Sequence, residues 1–516
     1  MPLEQVLKTL TPQTITLKAL DTGQVIYPSD RNYCQITPLD PETCRITYRC
    51  YFSDTRVAIL VRRLDPNKLS ITVESYLPSP LFKTRCNLYM DGGLVIEDLG
   101  ANLGKTLICA PPPKPPPPRR VVREGPLRRV VHVDTFGVQC GIATYLENLM
   151  DPLIPLNKEI EHVVFAEDIP SGDTRASTGK DYRGNQPTLL RNWSRRQPPD
   201  RLLKDLAEYD PDILHIQHEW AFFGPYDPSL PRILQFTKQR GAANIITWHT
   251  VIGRDEGDAA MMRRFFDAVK PFTDMHIVHD VNSHRNLLSY QVNPTRVRLI
   301  PMSAYPIRNI SKDEARRKML PEKYRDKKIL ITGGFLLPNK GVEKIILAMS
   351  TLHEKDLALV CIGGSHPWSQ KVYTDYRKLV LETARQTGVD LYLDYRFMDD
   401  EEIAWYMACG DITILYYGRT LSGTSGWSRR AISSKRPIIC TDVKLMSDLQ
   451  DGIHCLKVPS GNIARLSTAI KTLLTDRELG EKLAENAARY AEEISHENTA
   501  KKLLELYEEV YEGCRS

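Results

Sequence analysis

Lys340 stands shortly after a glycine pair in the segment ILITGGFLLPNKGVEKIIL, which ends at Leu347. A short β-rich apolar run closes on Gly333-Gly334, a loop follows, and Asn339-Lys340-Gly341 opens an amphipathic helix. That order suits a phosphate anion. Free amide N–H groups and the positive end of a helix dipole, roughly +0.5 charge, both favour a diphosphate there, and the lysine adds a full charge. An ordinary βα connection with a solvated lysine would use the same residues. Further on, Thr424-Ser425-Gly426 opens another helix in TLSGTSGWSRRAISSKRPIICTD. Its amides and hydroxyls offer a second phosphate-holding face, the alternative being a plain Ser/Thr helix cap. Two anion-accepting helix starts in one unit point to a diphosphate more firmly than either alone.

Histidines and a glutamate form the other group. His215, Gln217, His218 and Glu219 end the run DILHIQHEW. Alternate strand residues share a face, so His215, Gln217 and Glu219 project together with His218 opposite. A histidine ending an apolar strand is ordinarily structural; at a sheet mouth, His218 and Glu219 become candidate catalytic groups. His249, in TWHTV, is a candidate donor to a sugar hydroxyl or an electrostatic partner of a reaction centre, and His279-Asp280 ends a further strand in the same manner. Gly141, after Val138-Gln139-Cys140, would let backbone approach a ligand closely, or simply make a tight turn. Asp399-Asp400 precede EEIAWYM and read as a helix cap rather than a metal-binding carboxylate pair. No metal site is expected.

The elements that must carry these residues follow from the pattern. After Arg128, strands alternate with helices: RRVVHVDTF, EHVVFAED, DILHIQHEW, NIITWHTV, MHIVHD and VRLIPM, then KKILITGGF, LALVCIGG, LYLDYRF, ITILYYG, PIICTDV and HCLKVP. This predicts an α/β protein with two consecutive doubly wound, Rossmann-like domains. Such sheets bind ligands beyond the carboxyl ends of their strands, so two domains face to face would enclose one cleft. Residues 1–109 read instead as a small all-β domain, through QTITLKAL, CRITYRCYF, RVAILVRRL, LSITVESYL and GLVIEDLG. Between them Ala110 to Arg120, APPPKPPPPRR, is a semi-rigid polyproline spacer, with an SH3-type ligand as the sharper reading. The expected division is an accessory β domain at 1–109, a linker at 110–126, a first Rossmann-like domain at 127–308, a second at 309–490, and a C-terminal helix at 491–516.

The 516 residues carry a net charge of +5, too mild for a dedicated nucleic-acid binder. The start MPLEQVLKTL has no signal-peptide pattern, and no apolar run is long enough to span a membrane. Eleven scattered cysteines without a CxxC pair fit reduced thiols in a cytoplasmic protein.

From about Arg128 to the C-terminus the chain resembles the retaining GT-B glycosyltransferases of family 4. The pieces that carry the resemblance are CGIATY at 140–145, DILHIQHEWAFFG at 212–224, TWHTV at 247–251, GGFLLPNKGVEKIILAM at 333–349, GGSHPW at 363–368, RFMDDEEIAWYMACGDITILYY at 396–417 and GTSGWSRRAISSKRPIICTD at 423–442. The resemblance implies a nucleoside diphosphate sugar, UDP- or GDP-linked, bound by the second domain, with no further cofactor. Lys340 matches the lysine that neutralises the diphosphate, near Gly334 and Asn339. Thr424, Ser425 and Gly426 match the loop that touches sugar and phosphate, and Arg396 and Phe397 lie in the region that holds the base. Gly141 matches a loop covering the donor from the other domain, and His249 a histidine near the transferred sugar. The C-terminal helix is expected to cross back onto the first domain, which would hold the acceptor. Three departures stand out: Phe335 replaces a common arginine, Cys140 the first glycine of a pair, and Ser422 and Arg430 occupy the positions of a Glu-x7-Glu pair. Arg430 or Arg419 would then supply a cationic partner for the diphosphate.

The implied reaction is metal-independent transfer of a hexose to an acceptor hydroxyl with retention, through an oxocarbenium-like transition state. The acceptor classes open to it are a polysaccharide, a glycoconjugate, a protein or a modified base. Rival readings are a GT-B epimerase or phosphorylase, a non-catalytic sugar- or nucleotide-binding protein, and a transferase acting on hydroxymethylated DNA. Residues 1–109 would serve targeting, acceptor binding or homo-oligomer formation. Arg191-Asn192-Trp193-Ser194-Arg195-Arg196 is a solvated loop or, less simply, a basic-aromatic face toward lipid.

Overall fold

The computed structural model describes residues 125–515 apart from 139, 169–186, 196, 226, 365–369, 397 and 419–422, together with strands of the N-terminal region and residues 101 and 103. The expected linker therefore lies outside the described residues except for residues 125 and 126, and Phe397, Arg419 and Ser422 lie outside them as well.

Among the described residues, nine strands precede residue 110. β1 (Thr16–Ala19), β2 (Val25–Ile26), β7 (Cys86–Met90) and β8 (Gly93–Ile96) form one antiparallel sheet in the order β2-β1-β7-β8. β3 (Cys34–Asp40), β4 (Thr43–Arg49), β5 (Arg56–Asp65), β6 (Lys68–Leu77) and β9 (Thr106–Cys109) form another in that order. Period-two alternation is visible in β4 and β5, where Cys44, Ile46, Tyr48, Val57, Ile59 and Val61 are fully buried.

The rest is α/β. The first unit holds β10 (Arg129–Asp134), β11 (Glu161–Glu167), β12 (Thr188–Trp193), β13 (Ile213–His218), β14 (Ala243–Trp248), β15 (Met275–Val278) and β16 (Val297–Leu299), all parallel, in the order β12-β11-β10-β13-β14-β15-β16. The second holds β17 (Lys328–Gly333), β18 (Leu357–Ile362), β19 (Asp390–Asp394), β20 (Ile412–Leu415), β21 (Ile438–Thr441) and β22 (Leu456–Val458), in the order β19-β18-β17-β20-β21-β22. Helices on both faces bury the central strands: β13, β14 and β18 are buried at every residue, β18 as an unbroken apolar run and β13 and β14 with buried polar residues among the apolar ones. In each sheet the order reverses beside the first strand, between β10 and β13 and between β17 and β20, which is where doubly wound sheets open a crevice.

β12 was not expected. Residues 191–195 are neither a solvated loop nor a lipid-facing patch: Trp193 ends an edge strand, is 5% exposed and donates its indole N–H to the Phe165 carbonyl at 3.0 Å. Arg195 pairs with Glu167 at 2.9 Å and stacks on Phe222.

The units meet at several points. Asn148 donates to Asp400 at 3.0 Å, and Lys444 pairs with Asp255 at 2.9 Å and Glu256 at 2.8 Å. The helix His496–Arg515 leaves the second unit and buries Leu503, Leu506, Tyr507, Val510 and Tyr511 in the core of the first. Among the described residues no helix is long and apolar enough to cross a membrane.

Candidate active site

The crevice of the second unit is built around glycine. Gly334 has φ +115° and follows β17. A Cβ on Gly333 would come within 2.2 Å of the Trp427 ring, and one on Gly334 within 2.8 Å of its indole nitrogen. Trp427 thus lies flat against a turn that admits no side chain. Gly363, φ +123°, leaves room for the Gly334 carbonyl, 2.3 Å from where a Cβ would sit. Backbone that cannot yield on either side makes Gly363→Ala costly, by about 3 kcal/mol with the positive φ included. Thermal unfolding should register that loss, and the variant should also lose whatever binds at Gly334.

Lys340 is not in the first turn of the following helix, contrary to expectation. Pro338–Lys340 is a separate 3-10 turn, Gly341 at φ +52° breaks the chain direction, and the helix proper is Val342–Ser350. Gly341 is required because Tyr416 packs on it, 2.1 Å from a Cβ. The Asn339 carbonyl accepts from Gly418 N at 3.0 Å, which ties the lysine turn to the end of β20. The Lys340 ammonium then donates to the Tyr417 hydroxyl at 2.7 Å, 4.1 Å from the centre of that ring.

Tyr417 bridges the two expected anion sites. Its hydroxyl lies 2.6 Å from Ser425 Oγ, and Ser425 is the N-cap of the helix Gly426–Ser433. The Ser425 side chain makes no capping hydrogen bond to that helix. The plain-cap alternative therefore fails: the hydroxyl is turned toward Tyr417 and Lys340, and the Thr424 hydroxyl is buried with no partner among the described residues. Free helix amides, a lysine and two hydroxyls converge from separate loops, an arrangement that accepts negative charge.

The other wall comes from the first unit. Gly423, φ +146°, abuts the His249 carbonyl, 2.8 Å from a Cβ position. His249 itself is 6% exposed, edge-on to Tyr145 with ring centres 5.3 Å apart and 5.0 Å from the His279 ring. Its Nε2 lies 2.9 Å from Gln217 Oε1. Burial, then the neighbouring His279, His218 and His215, hold its pKa well below the usual histidine range, so the ring is neutral at pH 7. Glu219 accepts from Trp220 N at 2.9 Å and Thr250 Oγ1 at 3.0 Å, with its pKa raised by burial. Gly141 is exposed and begins the helix Gly141–Leu156; a Cβ there would meet nothing within 4 Å.

Two expectations are corrected, those for His218 and Arg430. His218 is fully buried in an aromatic cluster of Trp220, Trp248 and Phe265, its Nε2 on the Phe223 carbonyl at 3.0 Å. It packs the core behind the cleft, on the opposite face from Gln217. Arg430 does not join Lys340. It pairs with Asp400 at 2.6 Å and stacks on Tyr305 at 3.9 Å, lining a separate cavity of about 570 Å³ whose walls include neither Lys340 nor Gly334. Arg396 is half exposed and engaged by Glu402 and Asp394. Asp399 caps the helix Asp400–Cys409 by accepting from Glu402 N at 2.7 Å, as the pattern suggested.

Tyr417 and Trp427 were not anticipated. The tandem Tyr416-Tyr417 after an apolar strand was the available signal, since a strand end beside a lysine loop is where a hydroxyl can reach it.

Comparison with known proteins supplies a context for this geometry. Residues 326–476 match the family model described as Glycosyl transferases group 1. Over 180 residues the chain is 30% identical to alpha-D-kanosaminyltransferase of Streptomyces kanamyceticus, covering 34% of this chain but 44% of that protein, so less than half of the relative's length is spanned. Among solved structures, sucrose-phosphate synthase from Thermosynechococcus elongatus superposes with a TM-score of 0.60 at 16% identity, over 75% of this chain and 100% of that one. Anabaena Alr3699/HepE in complex with UDP gives 0.56 at 13% identity, over 73% and 99%. An alpha,alpha-trehalose-phosphate synthase from Burkholderia xenovorans, with glucose-6-phosphate, gives 0.56 at 12%, over 74% and 99%. The two α/β units are a GT-B fold, preceded here by antiparallel β sheets.

Proposed function

We propose that this chain is a glycosyltransferase of the family-4 type, moving a hexose from a nucleoside diphosphate sugar to an acceptor hydroxyl with retention at the anomeric carbon. The observation that carries the reading is the Lys340–Tyr417–Ser425 chain. It gathers an ammonium, two hydroxyls and uncapped helix amides at the switch point of the second sheet. Charge builds on the departing diphosphate as the sugar–oxygen bond breaks, and preorganised donors aimed at that charge lower the barrier. The matched region at 326–476 contains all of these residues. UDP is the favoured nucleotide, because relatives of this fold were solved with UDP. The ammonium and amides supply the charge that a divalent ion supplies elsewhere, so the reaction is taken to be metal-independent. His249 and Glu219 lie across the cleft, where the sugar and acceptor would meet.

The test is a panel of UDP- and GDP-sugars incubated with the full chain and mixed acceptors, read by mass spectrometry, with and without EDTA. Transfer from one UDP-hexose, unchanged by EDTA and giving an α-linked product from an α-linked donor, is expected. No transfer and no donor hydrolysis with any sugar would favour a binding protein instead.

A further inference from the structure

A line of polar side chains runs along one face of the first sheet, from β13 to the end of β14, and ends at His249. At its start, Tyr507 on the final helix has its hydroxyl 2.7 Å from His215 Nδ1. His215 Nε2 lies 2.8 Å from Thr247 Oγ1 and 3.4 Å from Gln217 Nε2. Gln217 Oε1 lies 2.9 Å from His249 Nε2. The line then stops: His249 Nδ1 is buried and meets no hydrogen-bond partner among the described residues. Every member is at least nine-tenths buried, with His215 and Gln217 1% exposed and Tyr507 fully buried.

Such a line has two self-consistent proton arrangements. A carboxamide offers N–H on one side and a carbonyl oxygen on the other. With Gln217 N–H toward His215, the His215 Nε2 lone pair accepts from Gln217 and from the Thr247 hydroxyl, so Nδ1 carries the proton and donates to Tyr507. Gln217 Oε1 then accepts, and His249 must present N–H at Nε2. Turning the amide round reverses every bond and puts the proton of His249 on Nδ1. The structure places the Gln217 amide in the first arrangement, with Nε2 toward His215 and Oε1 toward His249.

We propose that Gln217 is a positioning residue that fixes His249 as the Nε2–H tautomer, leaving Nδ1 as a hydrogen-bond acceptor for a hydroxyl bound in the cleft, with Tyr507 setting the direction of the line through His215. A neutral ring at this position fits the depressed pKa of His249. The consequence is specificity of a simple kind: the cleft position beside Nδ1 receives an O–H donor and rejects an ether or a deoxy carbon there. This rests on the glycosyltransferase reading for the identity of the hydroxyl, but not for the tautomer.

The experiment is long-range ¹H–¹⁵N correlation on full-length protein labelled at histidine, at neutral pH without ligand, the His249 signals being assigned by their loss in His249→Ala. His249 is expected to show a protonated Nε2 and an unprotonated Nδ1; the reverse, or an even mixture, overturns the proposal. In Gln217→Leu the preference should disappear, with kcat reduced about tenfold or more and KM for the nucleotide sugar little changed, because the diphosphate is held by the other unit. Gln217→Glu, which keeps an acceptor oxygen toward His249, should restore the tautomer. An unchanged tautomer in Gln217→Leu also overturns it. If that variant does not fold, Tyr507→Phe decides: loss of the single His215 tautomer supports the line, and an unaltered one contradicts it. A correct tautomer in a protein without transferase activity would retain this arrangement and sink the enzymatic reading instead.

Discussion

Between pH 7 and 5.5 the melting temperature of this protein should fall by roughly 15–30 °C, the loss of stability falling on the first α/β unit. The cause is its buried histidines. Burial lowers the pKa of His162 and His279 to about 4 and of His215, His218 and His276 to about 3, and holds His132 and His249 well below the ordinary 6.5. Below pH 6.5 the unfolded chain binds a proton at each of these sites while the folded chain does not. Their stabilising effect is therefore intact above 6.5 and lost as pH falls toward the folded values. Each costs about 1.4 kcal/mol per pH unit; seven such groups cost roughly 10 kcal/mol at pH 5.5. Asp134 works in the opposite sense, its carboxyl pushed up to about 8 by burial, and offsets about 2 kcal/mol over the same interval. The remainder is comparable to the whole stability of a domain, about 5–15 kcal/mol. Calorimetry across this range is the check; a shift of only a few degrees would mean that the histidines are hydrated or partnered differently.

The second large effect is on turnover. Lys340→Ala should lower kcat by about 10²–10³, the magnitude associated with losing one preorganised donor to developing charge. Tyr417→Phe should act less strongly, since it loosens the lysine and Ser425 without removing the cation. Lys340→Arg should recover little, because a planar guanidinium cannot occupy the 2.7 Å contact to Tyr417 and the narrow space beside Gly334 that the ammonium fills. Steady-state kinetics with the UDP-sugar identified in the donor panel reads all three. Near-normal turnover in Lys340→Ala would remove the diphosphate role from this lysine.

What could be read without coordinates divides along physical lines. The parallel strands announced themselves, because a strand covered on both faces by helices is largely apolar, as in LALVCI. β12 did not. As an edge strand it interrupts its apolar residues with Arg191 and Asn192, and only its last two side chains, Asn192 and Trp193, are buried. Alternation correctly set Gln217 and His218 on opposite faces of β13, but nothing in the sequence says which face meets aromatic core and which meets His249. That depends on Trp248 and Phe265, brought in from other elements. The lysine turn was legible through its glycines; its partner Tyr417 was not, because the contact joins residues 77 positions apart. Arg430 misled for a related reason. A cation near a helix that accepts anions looks available until Asp400 is found against it.

A structure of the full chain with UDP bound would show whether a diphosphate sits between Gly334, Lys340 and the start of the helix Gly426–Ser433. The β-phosphate is expected within hydrogen-bond distance of Lys340 Nζ and of the amides that open that helix, with His249 facing it from the other unit. UDP bound elsewhere, or with its phosphates turned away from Lys340, would contradict it.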